Sequence, residues 1–396
     1  MYTITHRQEY IMLTILPIKS AVPTIKKAPT KTFERPQGYI QTQSYDITPV
    51  PYTAFVRINQ PTFKARIVED IEFDEYKAMP EEEIEKHRKL YDDFYKLVDI
   101  DQLYITRNRN VNSKLPLTHE KDMDDFIKVS KAYNKYKDNK IICVGRSPKW
   151  FLNTSIWMKD GIEDYDFAAF SSNWYSRRGL SDKQFLKKDK LPTQEERIAY
   201  RNYLERVNCT PQNIVDAAKK TGKPVIITDY IHSGCGLASF LDILAQFAKE
   251  DGILEEFANS IKLFTLSSIE YFDYLEIDNT YSYYPALILP DILKPFKIEQ
   301  EYHDMPMEVM KGVLIDKNTN ECRSTYYPPI AWPIYDPDKY RTNLIPDDEL
   351  RKLKKVGSRM KIRFTDSMRD YRNLMNFRIL DALNTRKLLK ATHITR

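Results

Sequence analysis

No CxxC pair occurs in this sequence. Its four cysteines, Cys143, Cys209, Cys235 and Cys322, lie far apart and keep no metal-ligand spacing with the six histidines. That excludes a structural zinc site or a disulfide framework and fits reduced thiols in an intracellular protein. A long hydrophobic run is also missing. The most apolar early stretch, YIMLTILPI at 10–18, is shorter than the roughly 20 residues of a membrane span, and His6, Arg7, Gln8 and Glu9 before it make a poor signal peptide. Charge of one sign is lacking too: 61 Lys and Arg stand against 56 Asp and Glu, a formal net charge of +5 spread along both halves. Such a balance does not mark a nucleic-acid binder. What remains is a soluble, cytoplasmic protein with no membrane and no specific nucleic acid among its partners.

What is present is unevenly distributed. At 396 residues with 42% hydrophobic content, the chain exceeds the roughly 100 to 200 residues of one domain, so one sizeable core with appendages, or two domains, is expected. Residues 1–75 read as an extended arm, with Pro23, Pro29, Pro36, Pro49, Pro51 and Pro61 among Thr, Lys and Gln and no sustained period. Residues 76–137 read as a helical lead-in. Pro80 and three glutamates open one helix, and a second follows in LTHEKDMDDFIKVSKAYNKY, with Thr118 as N-cap and Phe126, Ile127, Val129 and Tyr133 as its apolar stripe. Residues 138–300 form the expected α/β core. Residues 301–346, rich in Pro and Tyr, read as an ordered wrap whose aromatics need burial, and 347–396 as a helical extension that packs on the core or on a partner.

Within the core, short apolar runs alternate with helical stretches. IICV (141–144), DFAAFS (166–171), VIIT (225–228) and IKLFTLS (261–267) are strand candidates, and a fifth strand is expected near ALIL (286–289). Continuous apolar strands separated by helices predict an open, mostly parallel sheet with helices on both faces. Ligands of such sheets bind beyond the carboxyl ends of the strands, so the residues that follow each run carry the information.

Two of those loops stand out. IICV is followed by GRSPKW, in which Gly145 permits a tight turn, Arg146 and Lys149 bring positive charge, and Ser147 with Pro148 can cap and start a helix. VIIT is followed by Asp229, then Ser233, Gly234, Cys235 and Gly236 ahead of an amphipathic helix. Small residues at a helix N-terminus let backbone N–H groups approach a phosphate, and an acid at the strand end suits ribose hydroxyls or Mg²⁺. Blander readings stand beside these. A βα turn with an acid is common, Arg146 could pair with a surface carboxylate, and His232 could be merely exposed. Cys235 lacks the partnered histidine of a cysteine hydrolase.

VIITDYIHSGCGL resembles the phosphoribosyl pyrophosphate (PRPP) motif of the type I phosphoribosyltransferases: an apolar strand, acids, a few variable residues, then Thr or Ser, Gly, any residue and Gly or Thr. Asp229 matches the second acid, Ser233 and Gly234 match the Thr-Gly pair, and Gly236 falls where the family places Thr, Ser or Gly. Thr228 stands where the family has its first acid, a pattern similar to the phosphoribosyltransferase-like proteins of bacterial stress and tellurite-resistance operons. The resemblance implies a phosphoribosyltransferase-like fold. It implies that Ser233, Gly234, Cys235 and Gly236 take the 5-phosphate. Asp229 would take the ribose hydroxyls and an expected Mg²⁺, and Gly145, Arg146, Ser147 and Lys149 the pyrophosphate, with Asp229 and Arg146 catalytic. The family often carries a loop that closes over the substrate between its second and third strands; Arg177, Arg178, Lys183, Lys187 and Lys188 occupy that interval here, as a lid or as a solvated face.

Two functions follow. In the first, the protein binds PRPP or a related ribose phosphate and transfers the phosphoribosyl group to an acceptor, largely by electrostatic stabilisation of the departing pyrophosphate. In the second, a catalytically decayed relative serves as a structural or protein-interaction module, with the N-terminal arm or the C-terminal helix meeting a protein partner.

Overall fold

Four of the seven strands lie where the apolar runs predict them. In the computed structural model the described residues are 73–92, 117, 119–145, 147–177, 184–231, 233–268, 287–310, 313, 327–334 and 366–391. The strands are β1 (Ile141–Val144), β2 (Asp166–Ala168), β3 (Tyr175–Arg177), β4 (Gln184–Leu186), β5 (Val225–Tyr230), β6 (Ile261–Ser267) and β7 (Glu299–Asp304). Five form one sheet in the order β2-β1-β5-β6-β7, and every neighbouring pair is parallel. β3 and β4 form a separate antiparallel hairpin. The fold class is therefore α/β.

The fifth strand of the sheet is not ALIL. Leu287 is buried and Leu289 packs against the core, but residues 287–290 have no strand structure; β7, EQEYHD, takes the edge instead. An edge strand needs no second apolar face, so a polar sequence suffices there. Its acids are answered by its neighbours: Tyr136 donates to Glu301 Oε2 at 2.5 Å, Lys135 pairs with Glu301, and Lys262 Nζ lies 2.6 Å from Glu299.

The helices are α1 (Phe73–Ala78), α2 (Glu81–Asp92), α3 (Glu120–Lys131), α4 (Lys149–Trp157), α5 (Gln194–Arg206), α6 (Pro211–Thr221), α7 (Cys235–Glu250), α8 (Leu254–Asn259), α9 (Met307–Met310) and α10 (Asp366–Thr385). α5 and α6 each begin with a capping box, at Thr193 and Thr210. α3 is capped at His119 without a side-chain bond, and Thr118, the expected cap, lies outside the described residues. The chain steps one way from β1 through α4 to β2 and the other way from β5 through α7 and α8 to β6. Right-handed crossovers place these helices on opposite faces of the sheet.

The appendages belong to the core wherever they are described, and residues 61–396 form one compact unit. The apolar stripe of α10 is buried at Leu374, Phe377, Leu380 and Leu383. Its Asp381 accepts from Tyr76 of α1 at 2.9 Å and from Arg88 Nε and Nη2 of α2, both at 2.9 Å. Tyr327 and Trp332 of the Pro/Tyr-rich segment are buried, and Trp332 stacks on Tyr200 of α5 at 4.2 Å. The expected arm up to residue 72 lies outside the described residues. No helix among the described residues is long and apolar enough to cross a membrane.

Candidate functional site

A parallel sheet ordered β2-β1-β5-β6-β7 reverses direction between β1 and β5, and the chain segments leaving those two strands diverge to opposite faces. The crevice they leave at the carboxyl ends is the expected ligand position. Pairing between the strands ends with Cys143 opposite Thr228. Val144, still paired with Ala168 of β2, and Gly145 therefore lie beside Asp229 and Tyr230, and the two loops singled out in the sequence converge there.

The second loop builds the more complete half. Gly234 is the N-cap of α7 with φ 71°, a left-handed conformation that a residue with a side chain adopts only under strain. Gly234 has no side chain with which to cap this 16-residue helix. The nearest substitute is Ser233 Oγ, which accepts from Cys235 N–H at a long 3.4 Å. The orphan N–H groups of the first turn and the positive end of the helix dipole thus point at the crevice. Gly236 leaves its face of the helix open: a methyl group added there would meet only Ser172 O, at an ordinary 3.8 Å. Ser233 and Gly236 are partly exposed, while Gly234 and the free thiol of Cys235 are buried.

Asp229 is the last but one residue of β5. The residue keeps partial exposure, but protein surrounds its carboxyl group, and burial pushes that group well above the usual carboxylate range. Its described partner is the N–H of Tyr230, at 2.8 Å. Thr228, where the resemblance places the first acid, is fully buried, and its Oγ1 lies 2.8 Å from the Tyr133 hydroxyl. The place of that acid is filled by a core hydrogen bond, since an ionised carboxylate would be stripped of water there.

The first loop departs further from expectation. Gly145 has φ 63°, and its N–H donates to Ala168 O at 2.9 Å. Arg146 lies outside the described residues, as does His232. Ser147 sits in the turn but caps nothing: the N-cap of α4 is Pro148, with no side-chain bond. Lys149 is the first residue of α4 and is buried, with Nζ 4.3 Å from the centre of the Phe167 ring. Its charge is held against an aromatic face under β2. A basic residue after a buried strand reads as an anion ligand in sequence, but this one packs into the core instead of facing the loop.

The segment after β2 joins the site without having been named. Phe170 O lies 3.8 Å from the position of a Gly145 side chain, and Ser172 O stands at the same distance from that of Gly236, so residues 170–172 run between the two loops. Trp174 then fastens the segment to α7: its N–H donates to Ser239 Oγ at 3.1 Å and its indole to the buried Asp242 at 2.8 Å, while Ser239 Oγ donates to Cys235 O at 2.8 Å. Applying the strand-end rule to DFAAFS as well as to IICV and VIIT finds these residues.

A second hollow lies at the opposite, amino end of the sheet. It measures about 570 Å³ and is lined by charged groups including Asp138, Lys140, Glu163 and Asp166. Lys140 Nζ pairs there with Asp166 at 3.0 Å, and Lys223 Nζ with Asp138 at 2.9 Å, so these charges answer one another. Among the described residues no group of three or more His, Cys, Asp or Glu side chains is placed to hold a metal ion. With its carboxyl group enclosed, Asp229 is a poor ligand for Mg²⁺, and the described residues do not make a metal site. Scans of protein-family models, of curated proteins and of solved structures each found no match to this chain.

Proposed function

We propose that the chain binds a ribose phosphate, PRPP or a close relative, in the crevice between β1 and β5. The carrying observation is the meeting, at the switch point of the sheet, of an uncapped helix N-terminus opened by Gly234 and Gly236 with the enclosed carboxyl group of Asp229. The N–H groups of the α7 first turn hold the phosphate by charge-assisted hydrogen bonds. Asp229, whose proton affinity burial raises, hydrogen-bonds the ribose hydroxyls. Two further features support the phosphoribosyltransferase-like reading: the motif strand β5 lies beside β1, and the β3–β4 hairpin occupies the interval between β2 and β5 in which that family carries its closing loop.

Binding is better supported than transfer. Transfer needs positive charge on the departing pyrophosphate and carboxylates at the ribose. Here Lys149 is turned under Phe167, Thr228 is tied to Tyr133, and Asp229 is enclosed. These three observations speak against transfer and favour a pocket that binds its ligand without catalysis. Mg²⁺, where it takes part, arrives on a pyrophosphate ligand.

Calorimetric titration of ribose 5-phosphate, and of PRPP with Mg²⁺, into the wild type and into Gly236→Val tests this. Position 236 accepts a side chain without backbone strain, so the variant should melt like the wild type while its valine covers the phosphate position. Saturable heat in the wild type and none in the variant is the expected result. No heat in the wild type with either ligand sinks the proposal.

A further inference from the structure

The β3–β4 hairpin is joined to the body through one of its two strands. β3 packs along α7, with Tyr175 buried and Trp174, just before it, bonded to Ser239 and Asp242. β4 is the outer strand. It pairs antiparallel with β3, Leu186 level with Tyr175 and Phe185 with Ser176, and no further strand among the described residues continues the ribbon. The Lys187 N–H closes the pairing on Trp174 O at 2.7 Å. A two-stranded ribbon buries little by itself, so the side chains of its outer strand are left to solvent or to a partner.

Those side chains are apolar. Phe185 is 42% exposed, Leu186 45% and Leu191, after a short 3-10 turn at Lys188–Lys190, 38%. They are three of the six large apolar side chains exposed among the described residues, gathered between positions 185 and 191. Single exposed apolar residues are ordinary, whereas a cluster rimmed by charge marks a contact surface. Successive residues of a strand point to opposite faces, so Phe185 and Leu186 show apolar surface on both sides of the ribbon. A folded partner docking on the ribbon covers one side and leaves the other in water; a medium that takes in the strand covers both. Between the apolar groups stand Lys187, Lys188 and Lys190, the last two exposed, with Asp189 as the one acid in the stretch. This arrangement suits the boundary of an anionic bilayer. Apolar side chains enter the acyl edge, and the lysine stems lie along it with their ammonium groups among the phosphates.

We infer that the outer strand of the hairpin and the turn after it seat the protein on an anionic membrane surface, with Phe185, Leu186 and Leu191 inserted and Lys187, Lys188 and Lys190 on the headgroups. The expectation of no membrane partner rests on the lack of a spanning run, and a contact that lies in the interface needs no spanning helix. This seat is separate from the ribose-phosphate crevice and does not depend on it.

The test sediments the full chain with vesicles of phosphatidylcholine alone and of phosphatidylcholine with an equal share of phosphatidylserine. It compares the wild type with a Phe185→Ser, Leu186→Ser double variant and a Lys187→Gln, Lys188→Gln, Lys190→Gln triple variant. The wild type is expected to favour the anionic vesicles by about tenfold or more, since each lysine close to such a surface is worth about fivefold. The triple variant should lose that preference, and the double variant should bind the anionic vesicles about tenfold more weakly. Both variants should melt like the wild type, because the replaced side chains lie on the surface. Sedimentation with neither vesicle, equal sedimentation with both, or binding that survives undiminished in either variant overturns the inference. A wild type that ignores vesicles but self-associates, with the association lost in the double variant, overturns it as well and gives the ribbon to a second copy of the chain.

Discussion

Two aspartates are enclosed in this molecule in opposite ways. Asp381, on α10, is gripped by both nitrogens of the Arg88 fork and by the Tyr76 hydroxyl, three contacts at 2.9 Å. Asp229, at the end of β5, has the neighbouring Tyr230 N–H at 2.8 Å, and burial raises its proton affinity. A carboxylate matched by a guanidinium fastens two elements together and is otherwise inert. A carboxyl group enclosed with no cation beside it among the described residues is held in readiness, and groups of this kind gather where ligands bind. Burial of an acid is therefore ambiguous; what accompanies the acid decides its meaning.

The sharpest way to break this comparison is Arg88→Ala. It leaves Asp381 buried with the Tyr76 hydroxyl but without its counter-charge, and should cost about 3 kcal/mol of stability in chemical denaturation while ribose 5-phosphate binding stays unchanged. A loss below about 1 kcal/mol would mean that the pair does not clamp α10.

Asp229→Asn should have a smaller effect with a distinct pH signature. Because the folded state holds this proton more tightly than the unfolded chain, Asp229 contributes stability that is complete below the ordinary carboxylate pKa of about 4 and is lost as pH rises through the raised folded value. Relative to the asparagine variant, the wild type should weaken with rising pH across that window, by at most about 1.4 kcal/mol per pH unit. Parallel stability curves would show that Asp229 titrates normally.

Smallest is Tyr133→Phe, which removes the bond to Thr228 Oγ1 inside the core and should cost about 1 kcal/mol. Ligand affinity should not change. An altered affinity would mean that Thr228 takes part in the site after all.

Much of the fold is legible in the sequence because burial on both faces writes itself as an apolar run. IICV, VIIT and IKLFTLS are strands for that reason, and β5 merely extends two residues further, to Tyr230. The edge strand EQEYHD escapes the same rule, since its stabilisation comes from ion pairs with Lys135 and Lys262 rather than from apolar burial. The run GLASFLDILAQFAKEDGILEEFANS reads as one helix but is two, parted by the turn at Gly252. In the site, the small residues before α7 announce the cradle, because only such residues tolerate the backbone found there. Lys149 shows the limit. Whether a lysine faces solvent or an aromatic ring depends on where its helix starts, which local sequence states poorly. The enclosure of Asp229 depends on strand order, which no single segment encodes.

The Arg88–Asp381 contact joins residues 293 positions apart in the chain. A link of such separation can close only after the intervening chain has been synthesised and largely ordered, and contacts of this range slow folding. Until α10 arrives, the apolar sides of α1 and α2 that hold Phe73, Tyr76 and Ile84 lack the cover that it gives them. The nascent chain therefore passes through a stage in which its first helices are sticky, and the interval before α10 docks is when it is most exposed to aggregation and to chaperone capture.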